Sequence, residues 1–362
     1  MVLAHTWPTA AYAGPQPLWV AGKAAALFGV LAGVGIAISA RSAVQSGSTG
    51  AARRALAARG AVLLVIGLTL GLGAAVAVIL AYYGVMFWLA TPFLAVRDRA
   101  LVATAVATGV LAPVLAHLAH RQWPTREAMM SPTWTDVAAP GRFVLELLLT
   151  GSYPAVVWLP YILVGMVVGR AVLRVRSDTP ALRRLALRLA AVGAACATLG
   201  AGVPRLILHL RFGTTGRDAF PGMWGLALTG PHSGTTGNLA LTTGTALLAT
   251  GLCLLLGTVL GGRARRLATP VLAAGGAPLT IYVAHVVVTT VLLIVSAVRS
   301  GGVGSSATTE DPAFAWWAQG PAAFALQLAL VLTIGALLAR RHRRGPLESL
   351  VTAAATRARG RR

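Results

Sequence analysis

Acidic side chains are scarce in this sequence: nine Asp and Glu stand against 31 Lys and Arg in 362 residues, a net charge of +22. Charged residues of either sign make up only 11%, against roughly 25% in a soluble domain. With 56% of the residues hydrophobic and a mean hydropathy of +0.74, a water-facing globule is excluded, because no soluble core could hide so much apolar surface. The two cysteines, Cys196 and Cys253, lie inside apolar runs; this excludes a disulfide framework or a Cys-based metal site and predicts small core residues. The N-terminus lacks the basic stretch, short apolar run and small-residue cleavage site of a signal peptide. Also missing are a Walker loop, a dinucleotide fingerprint, an HExxH pair and a nucleophile elbow. GPHSGTTG resembles a phosphate loop only in its glycines, since the Gly-Lys-Ser/Thr ending is absent.

What the sequence has is apolar length. A bilayer core of about 30 Å takes ~20 apolar residues per helix. Such stretches recur at Leu18 to Ala40, Gly60 to Leu72, Val76 to Ala95, Ala100 to His120, Pro154 to Gly169, Leu185 to His209, Leu239 to Leu260, Pro270 to Val298 and Pro321 to Ala339. The expected fold is therefore all-α, a multi-pass transmembrane bundle of about nine spans. Gly67, Gly71 and Gly73 leave open that the short second span joins the third as one bent element. Residues 1–345 read as one transmembrane domain and residues 346–362 as a basic cytoplasmic tail, with no internal repeat or linker.

Basic residues cluster between the spans rather than interleaving with aromatics on one face. The charge therefore sets topology and meets membrane lipid, and no nucleic-acid partner is implied. In the nine-span arrangement 23 of the 31 Lys and Arg fall on one side and eight on the other. That asymmetry predicts a plasma-membrane protein with its C-terminus in the cytoplasm and its N-terminus outside. MVLAH at the start reads as the tail of an apolar helix; a preceding helix would make ten spans with both ends cytoplasmic. The two long outer loops, His120 to Ser152 and Leu210 to Asn238, are rich in Gly, Pro, Thr and Trp, as functional loops often are.

Ionisable groups at membrane depth are costly unless they line a polar cavity, so they are the first candidates for function. Lys23 in VAGKAAALF could hold a phosphate or carboxylate, or could snorkel to the nearby interface. His285 shares a helical face with Tyr282 and Thr289, either lining a cavity or bonding a neighbouring helix. Arg142 and Glu146 are four apart and can pair. They precede a helix break at Gly151 and Pro154, near Tyr153, Trp158 and Arg170, that suggests a re-entrant or interfacial helix feeding a span. His232 in TGPHSGTTGN is a candidate general base or a solvated capping residue, and His5 would face the same side.

Seven segments together resemble bacterial relatives of the heparan-alpha-glucosaminide N-acetyltransferase catalytic-domain family, in its actinobacterial membrane branch. They are MVLAH, ALFGVLAGVGIAIS, AVILAYYGVMFWLA, LLLTGSYPAVVWLPYILVGMVVGR, GPHSGTTGNLALTTGTALLA, GAPLTIYVAHVV and RRGPLESL, in family order over nearly the whole chain. The GPLE ending, Gly345 to Glu348, is shared with a related membrane family of unknown function. The resemblance implies about ten helices and transfer of an acetyl group from cytosolic acetyl-CoA across the membrane to an acceptor such as a sugar amine. His5 matches a polar position at the end of the family's first helix. The animal enzymes place an acetyl-carrying histidine soon after it, and this chain has none between His5 and Lys23. The Asp and Arg-Gly pair usual in the branch's first helix do not occur here either.

The expected function is a membrane acyltransferase moving an acetyl or short acyl group from acyl-CoA to a cell-envelope sugar or glycolipid. No metal is expected, and a homo-oligomer is left open. His5, His232 and His285 are the acid, base or acyl-carrier candidates. Lys23, Arg142, Glu146, Tyr153, Arg170 and Tyr282 are the substrate- or donor-binding candidates, with Arg170 and the Arg174 to Arg188 loop placed to meet coenzyme A phosphates. Two alternatives stand beside this: a transporter or lipid-handling protein using the same polar groups without covalent chemistry, and a non-catalytic relative.

Overall fold

A computed structural model of the chain describes residues 2–6, 22–123, 130–213, 222–299, 315 and 317–360. The portion of the first expected span before Gly22 lies outside the described residues. Those residues form fourteen α-helices and no strand. The helices are α1 (Val2–Thr6), α2 (Lys23–Gln45), α3 (Thr49–Gly71), α4 (Leu80–Ala90), α5 (Asp98–Gln122), α6 (Pro140–Leu145), α7 (Ala155–Val175), α8 (Thr179–Phe212), α9 (Thr236–Val259), α10 (Gly262–Leu267), α11 (Thr269–Gly275), α12 (Pro278–Arg299), α13 (Pro321–Arg341) and α14 (Pro346–Arg359). Eight of them are long and apolar enough to cross a membrane, and α4 runs into a 3-10 turn to make a shorter apolar stretch, Leu80–Ala95. The chain is a multi-pass all-α transmembrane bundle.

The second and third expected spans are separate antiparallel helices, with Gly60 of α3 packed directly on the Gly84 backbone of α4. The third does not begin at Val76. Residues 72–79 are non-helical, and their backbone donors are met by side chains from elsewhere: Thr290 Oγ1 accepts from Ala75 N at 3.1 Å, Ser131 Oγ from Val78 N at 2.8 Å and Tyr282 Oη from Ile79 N at 3.2 Å. Irregular backbone survives in a membrane protein only with such partners. The expected Pro270 to Val298 span is likewise two pieces, because Gly275, Gly276 and Pro278 separate α11 from α12. Arg183, Arg184 and Arg188 belong to the first turns of α8 rather than to a loop, since Asp178 caps that helix by accepting from Ala181 N at 2.9 Å. The cysteines are not core residues: Cys253 is exposed and Cys196 half-buried.

The centre of the bundle is the α2–α7 seam. A Cβ on Gly33 would lie 2.1 Å from Ile162 O, and one on Gly165 would lie 2.0 Å from Val30 O, so only glycine lets these backbones meet. Packed on the seam are the buried aromatics Tyr82, Tyr83, Tyr153, Trp158, Tyr161 and Tyr282.

The stretch expected as a tail is mostly α14, which packs along α3. Its GPLE start is tied to α12. The Glu348 carboxylate accepts from Leu279 N at 2.7 Å, Thr280 N at 3.0 Å and Thr280 Oγ1 at 2.5 Å. At the other end Arg54 donates to the Ala358 and Arg359 carbonyls, both at 3.2 Å, closing the C-terminus of α14.

Candidate functional site

Two cavities open at opposite ends of α7. The larger, about 710 Å³, lies away from the arginine-rich end. It is walled by the end of α5, the turn between α6 and α7, and the loop leading to α9. Its polar lining includes Tyr82, His117, His120, Glu146, Ser152 and His232.

The local sequence explains each wall. Glu146–Thr150 forms a π-helical turn after α6, and the chain then breaks at Gly151 before Pro154 opens α7. Arg142 Nε donates to Glu146 Oε1 at 3.0 Å, the pairing expected from their spacing, and Glu146 is buried at the cavity edge. Gly151 is forced: a Cβ there would sit 2.3 Å from Tyr82 Oη, the hydroxyl that accepts from Ser152 N at 3.1 Å. In TGPHSGTTGN the cap of α9 is Thr235, which accepts from Asn238 N, while Asn238 Nδ2 donates to Gly230 O at 2.8 Å.

That frees His232 from capping and holds it in a left-handed conformation at φ 57°, uncommon for a residue with a Cβ. Its ring stands edge-on to Tyr153, 5.6 Å between centroids, and its Nδ1 is buried without a hydrogen-bond partner. Burial lowers its pKa below the ordinary 6.5, so it is neutral and able to accept a proton at neutral pH. Gly22 packs against Pro231 and the His232 backbone, which brings Lys23 to the rim of this loop.

His5 and His285 meet each other elsewhere. His5 Nδ1 lies 2.8 Å from His285 Nε2 with the ring planes 12° apart, an end-to-end imidazole hydrogen bond. His285 Nδ1 is 2.9 Å from Gln327 Oε1 of α13, and Gln327 Nε2 donates to Thr289 Oγ1 at 2.8 Å. The face shared by Tyr282, His285 and Thr289 is thus bonded to its neighbours, and neither histidine lines either large cavity. Tyr282 serves the non-helical segment before α4.

The second cavity, about 490 Å³, sits at the arginine-rich end between α2, the start of α5 and the end of α7, and is lined by Arg41, Arg97, Asp98, Arg170 and Arg174. Arg170 is fully engaged: its guanidinium donates to the Phe93, Leu94 and Val96 carbonyls and to Asp98 Oδ1 at 2.9 Å. Arg174 pairs with the other oxygen of Asp98. Arg41 and Arg97 have no carboxylate partner among the described residues. Between the cavities α7 runs from Val157 to Met166, about 13.5 Å at 1.5 Å per residue, past the buried Trp158, Tyr161, Ile162 and Leu163. Tyr161 Oη bonds Thr242 Oγ1 across this wall at 2.6 Å.

Sequence reasoning missed His117, His120 and Gln327. The HLAH spacing puts the first two three apart on one face at an end of α5, and His117 Nε2 is a second buried, unpartnered nitrogen. Gln327 sits alone in an apolar run, a signal of the same kind as His285. Among the described residues no three His, Cys, Asp or Glu side chains converge as a metal-ligand set. Comparison of the chain with protein-family models, with curated proteins and with solved structures finds no match.

Proposed function

We propose that the chain is a plasma-membrane acyltransferase that moves an acetyl or short acyl group from cytosolic acyl-CoA to a carbohydrate or glycolipid of the cell envelope. The observation that carries this reading is the pair of opposed cavities on α7, one ringed by arginine and the other by histidine, tyrosine and hydroxyl groups. Guanidinium groups suit the phosphates of a coenzyme, and a neutral buried imidazole among hydroxyls suits a sugar acceptor. The arginine asymmetry orients the donor cavity and α14 towards the cytosol.

In this mechanism His232 takes the proton of the acceptor amine or hydroxyl as that group attacks the acyl carbonyl. At the donor end the thioester C–S bond breaks as a carrier imidazole bonds the acyl carbon, and coenzyme A leaves as a thiolate that takes a proton from water; at the acceptor end the new C–N or C–O bond forms as the acyl–imidazole C–N bond breaks, which frees the carrier. The wall between the cavities requires the acyl group to be handed across. His5 and His285, which bond each other outside both cavities, are the candidate carriers, with Nε2 of His5 outside their chain of hydrogen bonds. Lys23 and Arg142 are the candidate anion partners at the acceptor end.

The same packed wall favours a second reading, a transporter or lipid-handling protein in which it is a gate. Acyl transfer from labelled acetyl-CoA by purified protein, with His5→Ala, His232→Ala and His285→Ala variants, separates the two. Label on the protein or an acceptor that vanishes in one variant supports the enzyme. No label, together with no coenzyme A binding, overturns it in favour of transport.

A further inference from the structure

Independently of that reading, we infer that the arginine-rich end holds a single small anion, of chloride type, between Arg59 of α3 and Arg359 of α14. Both side chains line one small cavity of about 10 Å³, room for one atom-sized occupant. The Nε atoms of both are buried and have no hydrogen-bond partner. Neither arginine has a carboxylate partner among the described residues. Two guanidinium groups facing one small space without a counter-charge repel each other, and an anion between them turns that repulsion into attraction.

The wall says which kind of occupant fits. It is otherwise aliphatic, with Ile36 and Leu56 prominent, apart from Ser39. The Ser39 hydroxyl donates to Ile36 O at 3.1 Å, and its carbonyl accepts from Arg359 at 3.3 Å. The two unpartnered groups in the cavity are therefore both donors, both cationic. A water must also donate two hydrogens and finds little to receive them, whereas a halide only accepts. A phosphate group is too large for a space of about 10 Å³. Because one arginine comes from the bundle and the other from α14, the ion would also pin the C-terminal helix against α2 and α3.

The test is thermal unfolding of the purified chain in detergent, titrating chloride against gluconate at constant ionic strength, with inorganic phosphate and phosphatidylglycerol micelles as parallel arms. A site half-filled at about 10 mM shifts the folding constant about 11-fold at about 100 mM chloride. The expected result is a saturable rise in melting temperature with chloride and bromide alone, absent in Arg59→Gln and Arg359→Gln. In gluconate Arg59→Gln should be no less stable than the parent, since it removes one of two repelling charges. No chloride-specific rise, a rise that persists in both variants, or stabilisation through these residues by phosphate or lipid alone would each overturn the inference.

Discussion

Replacing Glu348 with alanine tests whether the GPLE segment is a clasp that fastens α14 to the start of α12. The carboxylate meets two backbone N–H groups of the first turn of α12 and the Thr280 hydroxyl, at 2.7, 3.0 and 2.5 Å. Hydrogen bonds to a charged group contribute about 1.5–3 kcal/mol each when buried, and loss of a helix cap costs about 0.5–2 kcal/mol. Because Glu348 is half-exposed and water replaces part of what is lost, about 2 kcal/mol is expected for Glu348→Ala and about 1 kcal/mol for Glu348→Gln, which keeps one acceptor.

Gly345 lies directly under the Glu348 carboxylate. A Cβ there would lie 2.0 Å from Glu348 Oε2 and 2.6 Å from Thr280 Oγ1, so Gly345→Ala destabilises chiefly by evicting the carboxylate. Once Glu348 is alanine, most of that clash is gone. The two substitutions should therefore be strongly non-additive, the double variant costing less than about 1 kcal/mol beyond Glu348→Ala alone. Trypsin cleavage at Arg357 and Arg359 reads the open population of α14: about 2 kcal/mol corresponds to a roughly 30-fold faster cut when opening is fast relative to cleavage. Additive costs, or unchanged cleavage in Glu348→Ala, would refute the clasp.

Three further outcomes follow from other parts of the bundle. Gly165→Val should lower the melting temperature steeply, by more than the about 1–3 kcal/mol typical of overpacking, because its branches meet the Val30 carbonyl rather than a side chain that can turn away; an unchanged melt would show that α2 and α7 can separate freely. Arg170→Lys should cost about 2 kcal/mol in the same assay, since an ammonium cannot span the Phe93, Leu94 and Val96 carbonyls and Asp98 together. Burial makes folded His232 take up a proton less readily than the unfolded chain, so its contribution is complete above the ordinary pKa of 6.5 and is lost as pH falls through the window down to the lowered value. His232→Asn should therefore reduce the loss of stability as pH falls below the ordinary value of about 6.5, and proton acceptance by His232 should give acyl transfer an acid limb on the acid side of that value; identical pH profiles for parent and variant would remove His232 from both roles.

The spans were legible because hydropathy over about 20 residues reports the one constraint lipid imposes on every helix. The misplaced boundaries are where another element overrides that constraint. Leu80 starts α4 instead of Val76 because Tyr282, Thr290 and Ser131 satisfy backbone that would otherwise have to be helical, and no local pattern announces partners as remote as residue 290. The same distinction runs through the candidate site. Arg142 with Glu146 could be read from a four-residue spacing, as local geometry requires. That His285 is bonded to His5 from one side and Gln327 from the other depends on contacts 280 and 42 residues away. His232 gave no local sign of burial, since its loop reads as polar and solvated until Asn238 and Thr235 fold it over α7 and Tyr153 closes on the ring. What sequence can nominate in such a bundle is the costly residue in an apolar run; whether that cost is met by a structural partner, as at Arg170, or left standing, as at His232, is decided only by packing.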